Sequence, residues 1–455
     1  MNRLPVGAAP TLLIIVLILS GTWLALVPAS QPDHKAEGTT QLRVWTFARN
    51  HYDGYIEAIP SFEAAHPGVK VRIELVHYRA VSERLQAAFW GDLDVPDLVE
   101  VEIGYAGTFF RGPIEDVGFL DLTDRIHSSG LYDRVVQSRF APYTSRGHIF
   151  GLPHDVHPVM IAYRRDLFEE EGINPAQLDT WDKFTEAGRR VTRDLTGDGT
   201  IDRYMIELAD MSTQSLEVML FQRGGGFFDA DGRLSIDDEV SLETLCWFVP
   251  LVVGPERIAN SLGEGQIRTQ AVESGYLLCL ICPDWRTSVF EMDMPRLSGQ
   301  MALMPLPAPE PAGRRTSTWG GTMIAITKKT RNPDLAWELA LHLYYNTTYL
   351  GDRFRSSNII PPLRDAWQLP AFSEPRPFWS SQRIGELYIR LADQTPPQYT
   401  SPFIAMARTK LGAALVESVD YYGRHGKRGF TDYARSVLNS KADEVRAVMK
   451  RDSLE

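Results

Sequence analysis

Apolar and polar residues alternate without a break along Val69-Lys70-Val71-Arg72-Ile73-Glu74-Leu75. That is the pattern of a half-buried strand. Leu42 to Phe47 reads as an earlier strand, and Pro96 to Val101 opens a third. Between the first two, Ile56, Ile59, Phe62 and Ala65 fall at helical spacing, so Ile56 to His66 reads as a helix. Pro60 lies inside this stretch and suits only a first turn, which moves the expected start to near Ile59. Val81 to Phe89 is helical as well. The resulting order β-α-β-α-β predicts an α/β protein, with a mostly parallel sheet flanked by helices on both faces.

Further along, Gly151-Leu152-Pro153 cannot continue a helix. Val159 to Tyr163 is an apolar run of strand length. Arg165 to Glu171 suits a helix that Gly172 can end in a left-handed turn. Thr180 is a good N-cap, with Lys183 where the acid of a capping box would stand. Residues 276–282 (YLLCLIC) read as a buried strand, which makes Cys279-Leu280-Ile281-Cys282 a poor redox or metal motif. Residues three apart in a strand face opposite ways, about 10 Å apart and too far for a disulfide. Residues 299–311 read as a strand and a Pro-rich crossover, Ser317 to Ile326 as a turn into a strand, and Pro333 to Tyr345 as an amphipathic helix. Residues 379–450 read as largely helical.

The totals narrow the function. A chain of 455 residues can hold two or three domains. Its net charge of −11 argues against nucleic acid, whose phosphates would repel it. Three Cys do not make a disulfide framework. Residues 1–30 read as a targeting segment: Arg3, an apolar core from Leu12 to Leu19, and small residues around Val27-Pro28-Ala29 that place cleavage after Ala29. The apolar stretch from Thr11 to Pro28 approaches the shortest bilayer span, so an uncleaved membrane anchor stays open. No Cys follows it, which excludes a lipoprotein anchor. Either way the bulk of the chain is expected outside the cytoplasm, in the periplasm or on the outer face of the inner membrane. Residues 31–40 read as a flexible leader.

Several short blocks recur in a fixed order: Phe62 to Val71 (FEAAHPGVKV), Pro96 to Val101 (PDLVEV), Gly118 to Ile126 (GFLDLTDRI), Gly151-Leu152-Pro153 followed by Tyr163, Asp166-Leu167-Phe168 and Thr180-Trp181, then Pro305-Leu306-Pro307, Gly320-Gly321, Ala336-Trp337-Glu338 and Pro361-Pro362. Together they resemble the family 1 extracellular solute-binding proteins, the receptors of sugar ABC importers. The resemblance implies a two-lobed periplasmic-binding-protein fold (type II) whose hinge the chain crosses more than once. It implies lobe 1 at 35–153 plus 305–347 and lobe 2 at 154–304 plus 348–455, with crossings at Pro153 to Pro158, Met304 to Pro309 and after Tyr345. It further implies a monomer without cofactor or catalysis, which closes on a carbohydrate and presents it to a membrane permease.

A neutral sugar needs flat apolar surfaces for its C–H faces and planar polar groups for its hydroxyls. Candidates at strand ends and crossings are Phe47, Arg49, Glu102, Tyr105, Asp155, His157, Asp284, Trp285, Trp319 and Arg355, with Gly320 and Gly321 letting a ligand approach the backbone. The bland alternatives are a helix-end or hinge hydrogen bond for Glu102 and Asp155, and a surface ion pair or rim packing for Phe47, Arg49, Tyr105, His157, Asp284 and Arg355. Trp45 and Trp181 read as core. Asp194, Thr196, Asp198 and Asp202 alternate as in a calcium loop, but the twelfth position is Met205 instead of a bidentate Glu. Gly224-Gly225-Gly226 lacks the Lys-Ser/Thr of a P-loop. Other readings are a polyamine or phosphate-ester receptor, an anchored ligand sensor, and a glycoside hydrolase using Glu102 and Asp155.

Overall fold

The computed structural model describes residues 39–263 and 265–452. The expected signal peptide or anchor lies outside them. No helix among the described residues is long and apolar enough to cross a membrane. In chain order the strands are β1 (Thr40–Thr46), β2 (Val69–Leu75), β3 (Leu98–Glu102), β4 (Thr144–Ser145), β5 (His148–Ile149), β6 (Leu152–Pro153), β7 (Val159–Arg164), β8 (Tyr204–Glu207), β9 (Ala259–Asn260), β10 (Leu277–Pro283), β11 (Met301–Pro305) and β12 (Thr322–Ile326). They make two five-stranded sheets, β2-β1-β3-β12-β6 and β11-β7-β10-β8-β9, with β4 and β5 as a separate hairpin.

Each sheet has one reversed strand. In the first, β12 runs against β3 and β6. In the second, β7 runs against β10 and β11. Both are the first strand laid down after the chain arrives from the other lobe. A chain that enters from the hinge starts its strand at the cleft and runs outward, whereas the others run toward it. The carboxyl ends of four strands and the amino end of one therefore face the cleft in each lobe, where open α/β sheets bind ligands.

The second sheet is buried on both sides, as its unbroken apolar runs require. Cys279 lies in the core that holds Trp181 and Phe184, and Cys282 in the core that holds Trp379. The two thiols thus sit on opposite faces of β10, and both are free. Thr180 caps the helix Trp181–Val191 by accepting the Lys183 amide at 3.5 Å. Gly172, at φ +65°, ends the helix Arg165–Glu170.

Three local expectations change. The helix Arg49–Ala65 starts ten residues before Ile59 and runs straight through Pro60. His51, Tyr55, Ala58, Ile59 and Phe62 hold it on the first sheet, so packing outweighs the missing amide. The second crossing also moves. Leu306 and Ala308 sit in the second lobe's core, Trp181 donates its amide to the Ala308 carbonyl at 2.9 Å, and Ser317 Oγ donates to the Val218 carbonyl at 2.6 Å. Residues 305–318, expected in the first lobe, wrap around the second, and the chain crosses at Trp319–Gly321. The third crossing, expected directly after Tyr345, comes instead after the helix Thr347–Ser357, whose Leu350 packs in the first lobe's core; the chain crosses at Asn358–Ile360, where the Val156 amide bonds the Ile360 carbonyl at 3.1 Å. The C-terminal helices Ile404–His425 and Phe430–Asp452 pack on the second lobe.

Candidate ligand cleft and its hinge

On the first lobe, Phe47 follows β1, Tyr78 opens the helix after β2, and Tyr105 lies just beyond β3. Their rings form a row, with centroids 6.4 Å apart for Phe47 and Tyr78 and 5.9 Å for Tyr78 and Tyr105. Glu102, at the end of β3, caps the short helix that follows by accepting the Gly104 amide at 2.8 Å. Burial pushes its carboxyl up to about 7, against the pull of Arg408 and of that amide. Arg408 comes from the second lobe and pairs with Glu217 there at 3.0 Å.

On the second lobe, a cavity of about 180 Å³ opens among Glu207, Gln214, Ser261, Arg268, Arg286 and Trp319. Glu207 and Arg268 neutralise each other at 3.0 Å. Trp285 meets Trp319 edge to face, with centroids 6.0 Å apart, and its indole N–H donates to the Trp319 carbonyl at 3.0 Å. The Arg286 guanidinium lies 4.3 Å from the Trp319 ring centre, a cation–π contact.

Between the lobes runs a buried chain of charge. Arg139 donates to the Asp155 carbonyl at 3.1 Å and reaches its carboxylate at 3.3 Å. His157 lies 3.1 Å from Asp155 through Nε2 and 2.6 Å from Asp284 through Nδ1. Burial alone would lower the His157 imidazole; Asp155 and then Asp284 outweigh it and hold it at about 9. Asp155, despite its own burial, is held well below the usual carboxylate range by His157, His154 and Arg139.

A sequence profile of the bacterial extracellular solute-binding protein family matches residues 48–344. The chain belongs to this family. Among curated relatives, this solute-binding protein is 28% identical to an arabinooligosaccharide-binding protein of Halalkalibacterium halodurans, over 79% of the chain and 80% of the relative. It is 26% identical to an arabinooligosaccharide-binding protein of Bacillus subtilis, over 74% and 75%. The fold of the solute-binding protein is shared with the sugar-binding protein MalE of Xanthomonas citri (TM-score 0.73, 18% identity, 90% of this chain and 98% of that one).

Within the solute-binding protein, Phe47, Glu102 and Tyr105 come together on the first lobe, and Trp285 and Trp319 on the second. Asp155, His157 and Asp284 are instead buried in the hinge. Gly320 and Gly321 serve neighbouring side chains. A Cβ at Gly321 would lie 2.5 Å from the Arg139 guanidinium, and one at Gly320 would press on Trp285 and His157. Gly320 also has φ +91°. Arg49 turns to Tyr52 of its own helix, 5.6 Å from that ring centre. Arg355 is exposed on the helix Thr347–Ser357 and pairs with Glu374 at 2.6 Å and Asp352 at 2.5 Å, away from the cleft. The calcium-type loop satisfies itself. Asp194 accepts the amides of Thr196, Gly197 and Gly199, Asp198 that of Thr200, and Asp202 those of Leu195 and Thr196.

Sequence reasoning missed Tyr78, Glu207, Gln214, Arg268, Arg286 and Arg408. Arg286 alone carried a local signal, standing next to Trp285. Also missed was a cluster under the first sheet. Glu100 accepts hydrogen bonds from Tyr55 at 2.5 Å, Tyr344 at 2.8 Å and Thr46, with His51 Nδ1 3.2 Å away. The His154 ring lies 3.8 Å from that of His51, tilted by 33°. His51, Glu100 and His154 bring ligand-type atoms within 4.8 Å of one another; Glu100 and His51 belong to a buried hydrogen-bond network, and His154 approaches Asp155 at 3.4 Å. A larger groove of about 920 Å³ lies between residues 110–147 and residues 229–232 and 397–402, and it contains none of the expected ligand groups.

Proposed function

We propose that this solute-binding protein is the carbohydrate receptor of an ABC importer, and that its ligand is a neutral oligosaccharide of the arabino-oligosaccharide type. The reading is supported by an aromatic cluster on each lobe: Phe47, Tyr78 and Tyr105 on one, Trp285 and Trp319 on the other. The naming of the relatives supports it. So does the charge pattern. Two cleft acids sit on cations, Glu207 on Arg268 and Glu217 on Arg408. A polyamine receptor needs surplus carboxylates, and a phosphate-ester receptor needs surplus cations.

The receptor works as an exported monomer that closes on the sugar, presents the closed surface to the permease and releases the ligand intact. The hydrolase reading asks Asp155 to act on substrate, but Asp155 is buried between Arg139 and His157. The test is thermal melting with arabino-oligosaccharides, malto-oligosaccharides, diamines and sugar phosphates. A ligand at 100 times its Kd adds about 2.7 kcal/mol of stability. A shift with an oligosaccharide alone fits the reading. A shift only with diamines or phosphates, or turnover of a chromogenic arabinoside, overturns it.

A further inference from the structure

The hinge holds more buried charge than a mechanical joint requires. Arg139, Asp155, His157 and Asp284 alternate in sign and touch all three crossings. Asp155 and His157 belong to the first. Arg139 reaches the second through Thr318 Oγ1 at 2.9 Å and the Gly320 carbonyl at 3.0 Å. Asp284 reaches the third by accepting the Ile360 amide at 2.7 Å. Asp284 also accepts the Trp285 amide at 2.7 Å, so the chain ends on the stacking pair of the cleft. His157 sits at its middle in a left-handed backbone conformation, φ +54°, uncommon outside glycine. That conformation directs the imidazole between the two carboxylates.

We propose that His157 is a positioning residue for ligand binding: its imidazolium ties the three crossings to Trp285, so that the Trp285–Trp319 platform and the hinge move as one body. The proposal rests on the reading of the cleft as the ligand site. The groups that face His157 are Asp155 and Asp284; those that face these partners are Arg139, His154, Glu102 and the phenols of Tyr143, Tyr344 and Tyr345 toward Asp155, and Tyr388 and Cys282 toward Asp284. With both carboxylates in contact, His157 stays charged up to about pH 9.

The test uses the full chain, His157→Asn and Asp284→Asn. Asparagine accepts the left-handed backbone and drops the charge. The readouts are calorimetric affinity for arabinotriose and the emission of Trp285 in the ligand-free protein, taken as the difference from Trp285→Phe, both followed from pH 7 to 10. Expected are a tenfold or greater loss of affinity and a red-shifted Trp285 emission in either variant. Wild type should show the same changes as pH rises through 9, and His157→Asn should show a flat profile. A cooperatively melting His157→Asn with wild-type affinity and emission overturns the proposal. If that variant does not fold, Asp284→Asn and the wild-type pH profile decide it. If wild type binds no oligosaccharide, the cleft reading falls, while the ligand-free emission still decides whether His157 positions Trp285.

Discussion

Burial sets Glu102 at about 7, within the range where an exported protein works. An unfolded Glu titrates near 4.3. Between those values the folded state holds a proton that the unfolded state has lost, so this group's contribution to stability is complete below about pH 4 and disappears as pH rises through 7. Glu102→Gln should remove that slope: its melting temperature relative to wild type should climb from pH 5 to pH 8. An unchanged difference across the range would show that the carboxyl stays ionised. Trp319 carries Arg286 against its ring. Trp319→Ala should weaken oligosaccharide binding by about 2 kcal/mol or more in calorimetry, as loss of a buried aromatic anchor does. Residues of this kind were legible singly and not as pairs. Phe47, Tyr105 and Trp285 could be picked because they follow strands. Arg408 and Glu217 stand 191 positions apart, and nothing in either neighbourhood announces the other. Asp155, His157 and Asp284 were expected at crossings and strand ends and lie there, but buried in the hinge, and sequence does not say whether a polar group at a crossing faces the cleft or the hinge.

The strand β10 was read from its apolar run, and the period of two correctly separated its cysteines. A maleimide should label the folded protein at Cys246 at most, and a reductant should leave its melting unchanged. The helix Arg49–Ala65 shows the opposite case, where a proline signal was real but a five-residue buried face prevailed. The short helices spanning 103–110 meet the second lobe's helix Ile404–His425. A Cβ at Gly107 would run into the Ser401 carbonyl and Thr400 Oγ1, which are backbone and a short side chain with little room to yield. Gly107→Ala should cost about 1–3 kcal/mol in urea unfolding. A value near zero would mean that the lobes separate there at no expense.

At the scale of the whole molecule, two lobes and a hinge followed from the family resemblance; the first crossing lies between β6 and β7, within Pro153 to Pro158, whereas the second and third lie elsewhere than expected. Prolines marked Met304 to Pro309 as a bridge, yet Leu306 and Ala308 are apolar enough to keep that stretch on the second lobe. If the lobes close on ligand, small-angle scattering should show the radius of gyration falling when the oligosaccharide is added and recovering after dialysis. An invariant profile would mean that binding proceeds without closure.

The reversed strand β12 has a consequence for how the molecule comes into being. Its residue Thr322 pairs with Glu102 in the middle of the first sheet. A growing polypeptide that has not yet reached Thr322 leaves the flank of β3 bare, so the first sheet cannot be completed until about two thirds of the chain has been made. Pairings this distant form slowly. That delay keeps the newly made chain threadable, which is the condition an export channel needs, and makes any early stop in translation an aggregation hazard.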